Sequence, residues 1–219
     1  VVIQDTRGRF KSEGEFTPFV HEAEDGYDTI EWVAKQPWSN GKTGMFGGSY
    51  VGATQWLAAT AQPPHLTAIA PLITASDYHE GWAYQGGAFE LGFNLSWALG
   101  ALTMRNGENL ARRLGLPPER LEEMLDSTDA MAEAFRALPL LSQPFLERDE
   151  AAYYFDWLSH SADDRFWKGL RIEGHHQKIG TPSLNVGGWY DIFLMGTIRN
   201  YGRMRSAGGS DDARRGARL

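Results

Sequence analysis

In the first 74 residues, short apolar runs alternate with amphipathic segments, and that alternation restricts the chain to few architectures. Val1–Ile3 is a β-branched run with the character of a strand buried on both faces. From Glu22 to Lys35 the apolar residues Ala23, Tyr27, Ile30 and Ala34 recur at helical spacing. Gly26 weakens that helix and Pro37 stops it. Asn40-Gly41 marks a turn, and Thr43–Phe46 is the next strand. The small and apolar residues from Ala53 to Ala61 suit a buried helix, which Pro63-Pro64 ends; Leu66–Ile73 is a third strand. Strands joined through helices require crossovers, and crossovers within one sheet are right-handed and leave the strands parallel. The sequence thus predicts an α/β fold with a mostly parallel sheet and flanking helices.

Residues 75–170 break the alternation. They are rich in aromatics and helix formers, with a helix expected over Glu119–Leu138 and Met124, Leu125, Met131, Ala132 and Phe135 on its apolar side. The strand signal returns at Pro182–Val186, and a helix is expected from about Phe193 to Arg205. This divides the chain into a first core part (1–74), a helical insertion (75–170) and a second core part (171–219). VVIQ opens on a strand pattern with nothing before it, and the last segment stops as another apolar run begins. The expectation is an interior piece of a longer chain.

The formal net charge of -7 argues against general attraction to nucleic acid or to an acidic membrane surface. No apolar run approaches the roughly 20 residues of a membrane-spanning helix, and a cytoplasmic location is favoured. With no cysteine, thiol catalysis, disulfides and zinc-thiolate sites are excluded. His175 and His176, adjacent in a polar loop, read as a surface pair rather than a metal site; no metal or organic cofactor is expected.

The chemistry centres on Phe46-Gly-Gly-Ser-Tyr-Val-Gly52. A serine hydroxyl is a weak nucleophile that needs a base, an acid behind the base, and donors for the oxyanion. The nucleophile elbow, a serine on a strained turn between strand and helix, has the pattern G-x-S-x-G. Here the last glycine is displaced by one, to Gly52, so a structural Gly-rich turn stays open beside the nucleophile reading of Ser49. Asp191, just past the strand Pro182–Val186, lies where a triad acid belongs; apart from that position it reads as an N-cap for the helix that follows. The order Ser, Asp, His then demands a histidine after Asp191, and none of the six (21, 65, 79, 160, 175, 176) follows it.

VVIQDTRG, IEWVAKQPW, GMFGGSYVG and LNVGGWYDIF, in this order, resemble the cocaine esterase-like and X-Pro dipeptidyl-peptidase (CocE/NonD) family of serine hydrolases. That family's elbow reads Gly-x-Ser-Tyr-x-Gly, which accounts for Gly52. The resemblance implies an α/β-hydrolase fold with an inserted helical cap. It implies Ser49 as nucleophile, the Tyr50 backbone N–H as an oxyanion donor and Asp191 as the triad acid. The second donor, a tyrosine hydroxyl, is implied upstream of VVIQDTRG. The base is implied downstream, in a Pro-Trp-(Ser/Thr)-His motif, and a β-sandwich domain follows it in the family.

Trp82, Tyr84, Phe89, Trp189 and Tyr190 are candidates for the acyl pocket or for core packing. Relatives that take α-amino acyl groups use carboxylates near a Gly-Ala-Phe; in EGWAYQGGAF the nearest acid, Glu80, is out of register. A small-molecule ester is therefore the expected substrate, with an amide as the alternative. A non-catalytic binding protein lacking the base is the reading from another class. Association into a homo-oligomer is left open, and Asn94-Leu-Ser96 matches a glycosylation sequon that its apolar setting discounts.

Overall fold

The computed structural model describes residues 1–126 and 131–219. They form two compact units, one of residues 19–82 with 164–219 and the other of residues 1–18 with 83–163.

The first unit holds α1 (Glu22–Ala34), β1 (Thr43–Gly48), α2 (Tyr50–Thr60) and β2 (Leu66–Leu72). After these come α3 (Leu194–Ala207) and α4 (Asp211–Gly216). β1 and β2 run parallel, Phe46 opposite Ala70 and Gly48 opposite Leu72. Bridges Ile69–Ser183 and Leu72–Val186 add the segment 183–186 as a third parallel line, and Leu184–Arg218 starts a fourth. The α/β expectation holds here, since each crossover carries a helix.

Hydrophobic burial fixes α1 and α2. Ala53, Trp56, Leu57, Ala58 and Ala59 of α2 are buried almost all round, as a helix wedged between elements requires. Gly26, which weakens α1 by propensity, has a packing reason: a Cβ there would lie 2.6 Å from the Cβ of Ala58. On the sheet, Ile69 is buried while Phe46, Leu184 and Val186 are exposed. β1, β2 and 183–186 therefore alternate between a covered and an uncovered face.

Two expectations are corrected. Val1–Ile3 is not a strand; Val1 and Ile3 are 109% and 91% exposed. A strand exists only when its N–H and C=O groups pair with a neighbour, and among the described residues none pairs with this run. In the second unit, helices span Pro118–Asp126 and Met131–Ala134. Their junction, and the side chains of Met124 and Leu125, lie outside the described residues. The second helix stops short of Leu138, where Pro139 disfavours helical backbone. It buries Ala134, whereas Ala132 and Phe135 are exposed.

The second unit also contains a two-residue hairpin, Tyr84–Gln85 against Ala88–Phe89, that no sequence pattern announced. Helices Leu91–Ser96, Gly107–Leu114 and Ala152–Ser159 make up much of the rest. Arg120 forks onto Glu150, Nε to Oε1 and Nη2 to Oε2 at 2.7 Å each, and the Glu150 side chain is 2% exposed. Asn94 is fully buried and donates through Nδ2 to the carbonyls of Ala83 and Glu90, so it offers no glycosylation site.

Candidate active site

Between β1, which ends at Gly48, and α2, which begins at Tyr50, Ser49 alone makes the turn. Its backbone stands at φ 57, ψ -126, a region that costs a non-glycine residue roughly 1–3 kcal/mol. A serine placed before a helix ordinarily has extended backbone and caps the N2 or N3 amide with its hydroxyl. Ser49 makes no such cap bond. The helix thus leaves the Ser49 hydroxyl uncommitted.

The strain is held by bonds on three sides. Ser49 N–H donates to Leu72 O at 3.0 Å. Gln55, fully buried, donates through Nε2 to Gly47 O at 3.0 Å and accepts the Ala70 amide on Oε1 at 3.0 Å. It clamps the end of β1 to α2 and β2. The Tyr50 hydroxyl accepts the Phe19 amide at 3.2 Å and donates to Glu22 Oε1. Burial pushes the Tyr50 phenol well above its usual range, and the adjacent Glu22 carboxylate adds to the rise. Glu22 is buried as well, and its carboxyl is pushed up by that burial against the hydrogen bonds it accepts.

Gly52 has a steric explanation. A Cβ there would sit 2.9 Å from Leu72 O and 3.1 Å from Thr74 side-chain carbons. The first turn of α2 crosses the end of β2 at that residue, whereas Val51, where the usual pattern has its glycine, is exposed.

Because Gly48 pairs with Leu72 and Leu72 with Val186, the three lines end level. Ser49 continues from the first, and Asp191 follows the third after residues 187–190. One strand intervenes, which separates the two lines by about 10 Å. Asp191 N–H donates to Gly188 O at 3.1 Å, and its Oδ1 accepts the Phe193 amide at 2.8 Å. That bond orients the carboxyl at the entry to α3 while Oδ2 stays a separate acceptor position. Serine and carboxylate thus share the carboxyl edge of the parallel sheet, where open α/β sheets carry their sites.

The remaining candidates divide by burial. Trp82 is in the core of the first unit, stacked on Phe193 with centroids 4.5 Å apart and edge-on to Phe19 and Tyr78. Tyr84 is in the core of the second unit, its hydroxyl donating to Trp157 O at 2.8 Å, with Phe89 against its ring. Packing occupies both side chains. Trp189 and Tyr190, flanking Asp191, are 87% and 103% exposed.

Among the histidines, His65 pairs with Glu31 at 2.8 Å beside the start of β2. His79 is buried, with its ring against Trp167. The surface reading of the histidine pair is corrected for His176, which is 2% exposed, next to Trp56 and 2.9 Å from Asn200 Oδ1. The residue closes a turn over the core, and its polar chain neighbours conceal that in the sequence. Glu22 and Gln55 were missed by sequence reasoning; a glutamine inside the apolar run of α2 was the one available signal. A cleft of about 460 Å³ between Phe10, Lys11 and the segment 105–112 belongs to the second unit and includes none of these residues. No group of three or more metal-ligating side chains occurs among the described residues.

A strained serine and an oriented carboxylate on one edge of a parallel sheet form the arrangement of the α/β-hydrolase class. The chain belongs to the X-Pro dipeptidyl-peptidase (S15) family, whose model matches residues 1–216. It is 35% identical over 209 residues to the cocaine esterase of Rhodococcus sp. (strain MB1 Bresler), covering 92% of this chain and 35% of that protein. A CocE/NonD family hydrolase from Staphylococcus aureus superposes with a TM-score of 0.64 at 28% identity, over 94% of this chain and 29% of its own. An α-amino acid ester hydrolase shares the fold, with a TM-score of 0.62 at 22% identity over 98% of this chain and 35% of its own. The chain therefore spans about a third of the length of these relatives. Among the described residues no helix is long and apolar enough to cross a membrane.

Proposed function

We propose that this chain supplies the nucleophile and the acid of a serine hydrolase that cleaves a carboxylic ester through an acyl-enzyme. The observation that carries the reading is the backbone of Ser49 at φ 57, ψ -126, without a cap bond, between β1 and α2. The likeness to a cocaine esterase supports an ester as substrate.

In this reading Ser49 Oγ attacks the acyl carbon, its proton passes to a histidine base, and the carbonyl oxygen becomes the oxyanion. The Tyr50 N–H, at the first helical position and outside the helix's own ladder, donates to that oxygen. The base returns the proton to the departing alcohol, and water then releases the acid by the same steps. Asp191 Oδ2 accepts from the imidazole and holds its tautomer. The base is assigned to residues that follow this stretch. Arg218 pairs in parallel beside Leu184, its N–H on Ser183 O at 2.8 Å. A base on a continuation of this line in the same direction would reach the edge where Asp191 sits. The insertion 75–170 is assigned the role of a helical cap that shapes substrate choice.

The test is a fluorophosphonate probe on the folded full-length protein, followed by peptide mapping. Ser49 is expected to carry the adduct. Ser49→Ala is expected to lose labelling and to lower ester turnover by about 10³-fold or more. Absence of label on Ser49 in the folded protein overturns the reading.

A further inference from the structure

A strained turn keeps its geometry only if its surroundings over-determine it. Ser49 gains nothing from capping, so the peptide that joins it to Tyr50 depends on anchors elsewhere. One is the Ser49 amide on Leu72 O, and another is the Gln55 clamp. The third is reached through the Tyr50 side chain. Its hydroxyl meets the Phe19 amide and the Glu22 carboxyl, at the residue where α1 begins. Glu22 Oε2 in turn accepts the His21 amide at 3.1 Å.

This anchor is itself braced. Phe19 holds φ 70 and stacks on Tyr78 with centroids 3.8 Å apart and planes within 9°. Its ring also meets Tyr50 at 5.1 Å. The Tyr78 hydroxyl, fully buried, has no hydrogen-bond partner among the described residues. The Glu22 carboxylate and the Tyr78 phenol both act on Tyr50, and Glu22 and Asp77 act on Tyr78. A carboxyl inside an aromatic cluster is an expensive way to fill space. Its partner here is the residue that follows the nucleophile.

We propose that Glu22 is a positioning residue for catalysis: by holding the Tyr50 hydroxyl it fixes the Ser49–Tyr50 peptide and so aims the N–H that meets the oxyanion. This rests on the serine-hydrolase reading of Ser49. The effect falls on the transition state, because the N–H must meet the oxygen where charge develops and not where the ground-state carbonyl lies. Loss of the anchor therefore acts on kcat rather than on KM.

The experiment compares wild type, Glu22→Ala, Glu22→Gln and Tyr50→Phe in the full-length protein. Active sites are titrated with a fluorophosphonate, and p-nitrophenyl ester turnover is expressed per titrated serine. Glu22→Ala and Tyr50→Phe are expected to lower kcat per site by about 10- to 100-fold with KM within about twofold. Glu22→Gln, which keeps an acceptor for the hydroxyl, is expected to retain most of the rate. The double variant Glu22→Ala/Tyr50→Phe is expected to be no slower than either single one, because one link is broken in each case. A residue needed only for folding would reduce the number of titrated sites and leave kcat per site unchanged, and that result overturns the proposal. Should Glu22→Ala fail to fold, Tyr50→Phe and Glu22→Gln still decide. If wild type itself shows no titratable Ser49, the hydrolase reading fails first and takes this proposal with it. If wild type titrates and the variants keep full kcat per site, only the positioning role falls.

Discussion

The amide of Ser49 donates to the carbonyl of Leu72 at 3.0 Å, so the residue read as nucleophile is bonded to the neighbouring strand through its own peptide. The same carbonyl lies 2.9 Å from the place where a Cβ on Gly52 would stand. One oxygen atom thus receives the elbow's hydrogen bond and limits the residue that may occupy the first turn of α2.

Gly52→Ala must displace that carbonyl or tilt the helix, because backbone at 2.9 Å does not yield cheaply. A loss of about 1–3 kcal/mol is expected, which for a domain of this size lowers Tm by about 2–4 °C per kcal/mol. Phosphonylation of Ser49 by a fluorophosphonate should slow in the surviving folded fraction. Calorimetry and labelling kinetics on the same samples check both; unchanged values in each would refute the steric account.

Ser49→Gly is expected to act on stability with the opposite sign. Glycine adopts φ 57 without penalty, and relief of the strain outweighs its larger unfolded-state entropy, for a net gain of about 1 kcal/mol. A chemical denaturation curve reads the gain. A destabilised Ser49→Gly protein would show that the hydroxyl contributes to folding.

His176 gives the first unit a dependence on acidity. Asn200 Nδ2 donates to Ala75 O at 3.2 Å, so its Oδ1 is an acceptor and His176 Nε2 carries the proton towards it. Burial lowers the His176 pKa below 6.5, the Asn200 bond opposing it. The unfolded chain therefore binds the proton more readily than the folded one. The contribution is complete above pH 6.5 and is lost as pH falls from there through the lower folded value. Half-exposed His175, lowered by burial and then by Lys178 and Arg171, adds in the same direction. Denaturation of wild type and His176→Gln at several pH values should show the wild-type advantage narrowing between pH 8 and pH 5. A gap that stays constant would contradict the buried neutral imidazole.

In the second unit, Arg120→Met leaves Glu150 buried without its counter-charge, and about 3–5 kcal/mol of local stability should be lost. The double variant Arg120→Met/Glu150→Leu should recover much of it. Hydrogen exchange across residues 107–159 measures the opening; equal protection in wild type and Arg120→Met would deny the pair its role.

Much of the first unit was legible because its signals are local. The periodicity of α1, the strand runs of β1 and β2 and the small residues of α2 each sit within one window, and the structure moves their ends by a few residues at most. The placement of Ser49 and Asp191 on one edge followed from strand order. What was hidden depends on pairs far apart in the chain. Glu22 meets Tyr50 across a whole helix and strand, and Gln55 reaches β2 from α2. Val1–Ile3 has the composition of a strand, but composition cannot supply a partner for its backbone.

α2 is flanked by two vacancies in the alphabet of side chains, Gly26 pressing on Ala58 from one side and Gly52 lying under Leu72 on the other. A saturation scan scored by abundance would find intolerance at these two silent positions and little at Ser49. Scored by turnover, the ranking would invert at the serine. The two maps would separate what builds the elbow from what uses it.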